Sequence, residues 1–569
     1  MRLKPIFLPC MALSICLGAC STRSAVFVWT STDNQFTRSA AEPEKENSGQ
    51  LLLKDCAFEY PAWRGEKVSA QAVLLPDREL RDIRLTVTEL KGEDGGVIPE
   101  GCVRASFVEY VMGDVLNGDF CQCDQRPRGK MDSLYIADRI SSDRLDRAAS
   151  DICQPVWLNV SVPADTKPGT YEGQLRLRTG IFGGVSLPIR LEVCENVLPE
   201  PSAWKFHLDL WQNPYSVARY HGVELWSDEH FRAMEPVMRL LADAGQKVVT
   251  ATVLDRPWNG QTEDAFGSMV RKTKFADGRW EYDFEIFDKW VEFMDRMGIS
   301  SQINCYSMIP WKLTFDFING ETGETEYFQC TTDSPEYREY WGSFLKAFAA
   351  HIKTKGWFDK TMIAMDERPA DAMKNALGVI REAVPDMKVS LAGNWHESLA
   401  DFLADYCVAM KEPFPAAEIA RRRAEGKVST WYTCCAERCP NTFMVSRPAE
   451  AEWIGWHTLA RGCDGYLRWA YNSWTADPTK DGRFRTWPAG DCFMVYPGGQ
   501  SSPHFERLRE GIQDFEKVRI LKELWEAEGN DTALRKLDSA LGLFTPERIL
   551  AEGPDPALAA AKAILAEQN

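Results

Sequence analysis

The segment Met362-Ile363-Ala364-Met365-Asp366-Glu367-Arg368-Pro369 drives a short apolar run into two adjacent carboxylates. Burying either acid unpaired costs several kcal/mol, so the pair demands a reason. A surface turn is one. The other is glycosidic bond cleavage, in which one acid protonates the leaving oxygen and a second group attacks or stabilises the anomeric carbon. General acid catalysis of this kind contributes about 10²–10⁴-fold. The second group need not belong to the protein. In a 2-acetamido sugar the acetamide oxygen can attack C1, with an effective molarity of about 10⁵–10⁸ M for such groups. The protein then needs a carboxylate to hold the acetamide N–H, and two neighbouring acids divide the labour: Asp366 on the acetamide, Glu367 on the glycosidic oxygen. Strand neighbours point to opposite faces. Both acids share one site only if the chain turns out of the strand at 366, which Arg368-Pro369 favours. Mutual repulsion would raise the pKa of one acid and help Glu367 stay protonated.

Something must hold that pair in place. From residue 204 onward, apolar runs alternate with helical stretches. Eight runs stand out: 204–211, 247–254, 299–306, 361–367, 388–395, 406–412, 428–435 and 465–474, the sixth being the least regularly spaced. HFRAMEPVMRLLADAG, FEIFDKWVEFMDRMG and EYWGSFLKAFAAHIKTKG, which lie between runs, carry apolar residues at helical spacing and a glycine stop. Eight such units predict a (β/α)8 TIM barrel, whose active site lies at the C-terminal ends of the strands. Upstream, VSAQAVLL, IRLTVTEL, PVWLNVSVP and YEGQLRLRTG read as short strands between turn residues. The expected architecture is multidomain: an N-terminal β-sandwich (51–197), the barrel (204–528) and a helical C-terminal extension (529–569).

The first 20 residues have Arg2 and Lys4, an apolar stretch and then Leu17-Gly18-Ala19-Cys20. They predict a lipoprotein signal peptide and lipobox, with lipid on Cys20, a bacterial membrane anchor and export to the periplasm or cell surface. Residues 21–50 read as a polar tether, although the apolar VFVW inside it could instead open the sandwich. The net charge of −17 argues against a nucleic-acid partner. Cys121-Gln122-Cys123 and Cys434-Cys435…Cys439 lack zinc-site spacing, and disulfides or buried thiols are expected. No metal or cofactor is implied.

The strand ends collect aromatic and hydrogen-bonding residues: Trp211, Trp258, Tyr306, Asn394, His396, Lys411, Trp431, Tyr432, Arg468, Trp469, Asn472 and Trp474. Aromatic faces stack on sugar C–H faces, while amides and charges bind hydroxyls. MIAMDERP, WYTCC followed by Pro440-Asn441, GYLRWAYNSW and REGIQDFE together resemble glycoside hydrolase family 123, the β-N-acetylgalactosaminidase family. The resemblance implies retaining hydrolysis by substrate assistance through an oxazoline. Asp366 would polarise the acetamide and Glu367 would be the acid/base, with Tyr432 the candidate donor to the acetamide carbonyl. Trp469, Trp474 and Asn472 would wall the sugar, Arg468 would bind a hydroxyl or brace Glu367, and Trp211, Trp431, Asn394 and His396 complete the expected subsite. Two rivals stand beside this: a glycosidase using Glu412 as protein nucleophile, and a non-catalytic surface glycan-binding lipoprotein. Tyr496, in the Tyr-Pro-Gly-Gly loop, is open between mouth and scaffold.

Overall fold

The computed structural model describes residues 25–39, 58–114, 133–180, 183–484 and 487–567. The leader, Cys20 and the Cys121-Gln122-Cys123 cluster lie outside them.

Two largely antiparallel sheets make up the N-terminal portion. One runs in the order 25–30, 67–76, 154–161, 103–114, 133–140 and 37–39. The other is built on 144–148, 80–87, 169–179, 183–197 and 58–64. Period-two alternation sends Val156 and Leu158 of the first sheet, and Ile83, Leu85, Leu175 and Leu177 of the second, into one shared core. The expected tether is corrected over residues 25–39. Ala25–Thr30 pairs antiparallel with Lys67–Pro76, because Phe27 and Trp29 alternate inward to that same core.

The eight apolar runs become eight parallel strands: His207–Leu210, Val248–Thr252, Gln302–Tyr306, Thr361–Asp366, Lys388–Gly393, Asp405–Ala409, Val428–Tyr432 and Gly465–Arg468. Their hydrogen-bonded order is first, eighth, seventh, sixth, fifth, fourth, third, second. The first and second approach each other through a parallel bridge between Leu208 and Gln246, so the barrel is nearly closed. The fourth and eighth strands therefore stand on opposite sides of the mouth. Helices Asp228–Ala242, Glu285–Arg296 and Pro335–Thr354 follow the first three strands, with Ser227 and Ser334 capping the first and last of them. After the fifth strand a 3-10 turn over Glu397–Phe402 replaces a helix, which accounts for the irregular spacing at the sixth run. Periodicity did not show a four-stranded sheet assembled from the loops after the second and third strands (Arg271–Lys274, Trp280–Asp283, Thr314–Asn319, Thr325–Gln329).

Two features tie the portions together and set the barrel mouth. Helix Pro503–Glu528 runs between barrel and sheet: Gln513 exchanges two hydrogen bonds of 2.9 Å with the Lys67 backbone, and Lys517 pairs with buried Glu66. It crosses helix Pro448–Arg461 where Gly455 meets Gly511, a contact too close for any side chain. Strand Val103–Asp114 then reaches the long loop after the eighth barrel strand. The Met112 N–H donates to the Lys480 carbonyl at 2.9 Å, the Gly482 N–H donates back to Met112 at 2.8 Å, and the Ala489 N–H donates to Asp114 Oδ1 at 3.0 Å.

Candidate active site

Asp366 is the last residue of the fourth strand, in register with Ala392 of the fifth. Glu367 then adopts a left-handed backbone (φ 47°) while its N–H still donates to the Ala392 carbonyl at 2.7 Å. A non-glycine residue rarely takes this conformation, and where it does the strain is commonly functional. Here it solves the alternation problem: the chain twists so that two neighbouring acids face one cavity. Gly393 makes the twist possible, since a Cβ there would sit 3.3 Å from Glu367 Cα and 3.5 Å from its nitrogen. Burial, then the Glu367 charge, push the Asp366 carboxyl up to about 8, with Arg368 and the indoles of Trp311 and Trp258 pulling it back. The proton expected on Glu367 is thus held instead by Asp366 through neutral pH, because Asp366 is the deeply buried member of the pair. Tyr432 reaches in from the seventh strand, its hydroxyl donating to Glu367 Oε1 at 2.7 Å.

The cavity holds about 220 Å³. That is below the range of about 300–1,000 Å³ usual for drug-sized ligands and suits one sugar ring at the end of a chain. Trp211 forms part of its wall, 2% exposed and stacked on Trp258 at 4.9 Å. Trp469 and Trp487 meet edge to face at 5.8 Å on the side of the eighth strand. Trp311, 37% exposed, stands at the rim with the Arg368 guanidinium 5.3 Å from its ring centre. Asn394 and Lys411 line it from beyond the fifth and sixth strands, and the small Ala392 and Ala409 leave room.

Asp366, Glu367, Tyr432, Trp469, Asn394 and Trp211 thus share one cavity, and other expected residues do not. Trp431, next to Tyr432, takes the opposite face by strand parity; its indole donates to Thr458 on helix Pro448–Arg461 at 2.9 Å. Asn472 is fully buried and staples the first strand's end, accepting from the Asn213 N–H and donating to the Asn213 carbonyl, both at 2.9 Å. Trp474 is also fully buried, donating to the Val495 carbonyl at 2.8 Å. His396 contributes its backbone N–H to a bond with the Tyr406 hydroxyl, and its ring is not part of the wall. Arg468 neither reaches Glu367 nor lines the cavity itself. Its guanidinium binds Asp491 Oδ1 at 2.8 Å and Asn441 Oδ1 at 2.8 Å. The side chain of Glu412 is outside the wall, and its carbonyl accepts from Arg461 at 2.8 Å. Tyr496 is buried against Asp138 of the N-terminal portion.

Sequence reasoning missed Trp311, Trp487, Glu437 and Asp491 as wall residues. Glu437 is held by the Cys434 N–H at 2.9 Å, and burial raises its pKa. Trp487 and Asp491 sit in the long loop after the eighth strand, whose path depends on contacts with residues some 375 positions away. Cys435 also lines the cavity and is disulfide-bonded, whereas neighbouring Cys434 is a free thiol whose pKa burial raises.

Residues 211–521 match the glycoside hydrolase 123 catalytic domain, and residues 29–179 match the glycoside hydrolase 123 N-terminal domain. A family 123 glycoside hydrolase from Clostridium perfringens, described for glycolipid glycan hydrolysis, superposes with a TM-score of 0.82 at 25% identity, covering 91% of each chain. A GH5 xyloglucanase from Bacteroides ovatus overlaps with a TM-score of only 0.28 at 11% identity, covering 80% of this chain and 98% of its own, and carries no argument. No curated protein matches the sequence. With a catalytic-domain match spanning more than half its length, the chain belongs to glycoside hydrolase family 123 and is a glycoside hydrolase.

Proposed function

We propose that the enzyme removes terminal β-linked 2-acetamido-2-deoxy sugars, N-acetylgalactosamine foremost, with retention and by substrate assistance. The reading rests chiefly on the left-handed turn at Glu367, which puts two adjacent acids sharing one proton into one sugar-sized cavity. On binding, the acetamide N–H donates to Asp366 and favours its ionised form, leaving the proton on Glu367. The acetamide oxygen attacks C1 while Glu367 protonates the departing oxygen, and Asp366 takes up the N–H proton as the oxazoline forms. Water then opens the oxazoline at C1, with Glu367 as base. Tyr432, which holds Glu367 in the free enzyme, is the donor we assign to the acetamide carbonyl. Trp211 and Trp469 supply stacking faces. The hydrolysis of glycolipid glycans by the Clostridium perfringens relative supports a glycoconjugate substrate.

The test is hydrolysis of the aryl β-glycosides of N-acetylgalactosamine, N-acetylglucosamine and galactose, with and without a thiazoline mimic of the oxazoline. Cleavage confined to the acetamido sugars, with tight thiazoline inhibition, is the expected outcome. Equal cleavage of the galactoside would return the reaction to a protein nucleophile.

Export and a lipid anchor at Cys20 are proposed from the leader sequence. No helix among the described residues is long and apolar enough to cross a membrane. Palmitate labelling of the full chain, abolished by Cys20→Ala, is the expected result.

A further inference from the structure

Across the mouth from the acid pair stands a carboxylate that the proposed chemistry does not use. Asp491 lines the cavity and is itself fully buried. Its Oδ1 is taken by Arg468, which leaves the end of the eighth strand and is held in turn by Asn441. Its Oδ2 is buried and has no hydrogen-bond partner among the described residues. Leaving a buried carboxylate oxygen unpaired is costly, and the cost is normally met by a ligand or water. Burial pushes this carboxyl up to about 6, while Arg468 and the Trp469 indole favour its charged form.

Position says which part of a sugar it meets. In the barrel order the fourth and eighth strands are opposite one another. A pyranose whose C1 and C2 groups engage Asp366 and Glu367 on the fourth strand turns its C4–C6 edge to the eighth. We infer that Asp491 is a specificity-determining residue: its free Oδ2 accepts a hydroxyl from that remote edge, at C4 or C6, with Trp469 stacked beside it. Arg468 acts only through Asp491, as a positioning residue. If the hydroxyl is at C4, this contact separates galacto from gluco sugars, which differ in the direction of that O–H alone. The inference builds on the acetamido-sugar reading above.

Asp491→Asn is the informative variant, because the amide oxygen can still accept from Arg468 while an N–H₂ replaces Oδ2. Full-length wild type and variant are compared by kcat/KM on the aryl β-glycoside of N-acetylgalactosamine and its 4-deoxy and 6-deoxy forms. Calorimetric binding of the corresponding free sugars runs in parallel and needs no turnover. The variant should lose roughly 10- to 100-fold on the parent, the scale of a hydrogen bond to a charged group. It should lose less than about threefold on the one deoxy form that lacks the hydroxyl Asp491 reads. Equal losses on all three compounds, or a loss accompanied by a lowered Tm, would mean that Asp491 only braces the loop and would overturn the assignment. Sugar binding that is Asp491-dependent, with no turnover by wild type, would sink the hydrolytic mechanism and leave this contact standing. Wild type that neither binds nor cleaves any of the sugars overturns both.

Discussion

At the end of the fourth barrel strand, Asp366 and Glu367 both turn into the cavity; at the end of the eighth, Arg468, Asn472 and Trp474 turn away from it. Both stretches put polar groups where a barrel keeps its chemistry. Their partners differ. The carboxyls of the fourth strand meet Tyr432, the nearby Trp311 and Trp258 indoles and open cavity. The polar groups of the eighth strand are spent on backbone and on loops: Arg468 on Asp491 and Asn441, Asn472 on Asn213, Trp474 on Val495. One strand end presents its acids to the open cavity, and the other ties most of its polar groups to backbone and loops so that the wall does not move.

The sharpest way to break this contrast is at the acids. Glu367→Gln and Asp366→Asn should each lower kcat on an aryl β-glycoside of N-acetylgalactosamine by about 10²–10⁴-fold, the usual contribution of positioned acid–base groups. A variant at either acid with near-wild-type kcat would reduce the fourth strand to scaffold.

Next comes the backbone beneath them. Gly393→Ala places a methyl 3.3 Å from Glu367 Cα, so the strained turn must shift by a few tenths of an ångström. Small misplacements of a catalytic group are expensive, and the expected loss is roughly 10- to 100-fold in kcat with KM and Tm little changed. A fall in Tm without a selective fall in kcat would make Gly393 a packing residue.

How much of this could be read beforehand differs between the same two strand ends. MIAMDERP was legible as a candidate site, and its two acids do line one cavity, because adjacent carboxylates after a buried run have few structural uses. The eight strands were legible because each is a short, largely buried run set between helical stretches, even where it carries a polar residue such as Asp209 or Asn304. GYLRWAYNSW was legible as a strand end but not as a set of contacts. Tyrosine, tryptophan, asparagine and arginine serve a sugar or a packed scaffold equally well, and only tertiary partners decide. Trp431 shows the cost of lacking the exact register: a one-residue step moves a side chain from the cavity to the helix layer. Asp491 and Trp487 were beyond reach, since the N-terminal strand Val103–Asp114 fixes the loop that carries them.

A smaller effect tests the end of the eighth strand. Asn472→Ala leaves the Asn213 N–H and carbonyl without their partner and should cost about 1–3 kcal/mol of stability. The KM for the aryl glycoside should stay within about twofold of wild type, because nothing facing the sugar has changed. A tenfold rise in KM with Tm unchanged would move Asn472 into the subsite and erase the contrast.

The smallest expected effect concerns stability at the acid pair and has a definite sign. The Asp366 carboxyl is pushed up to about 8 in the folded chain, far above the roughly 3.9 of a free aspartate. The folded state therefore binds this proton more tightly than the unfolded one. Its stabilising effect is complete below about pH 4 and is lost as pH rises toward 8. Asparagine has no such proton to lose. Asp366→Asn should melt with wild type near pH 4 and above it by at least a few degrees at pH 9. Circular-dichroism melts across that range check it, and a gap that stays flat or reverses would show that the acid is not strained by its site. A widening gap would mean that the fourth strand trades stability for a carboxyl that keeps its proton at the cavity.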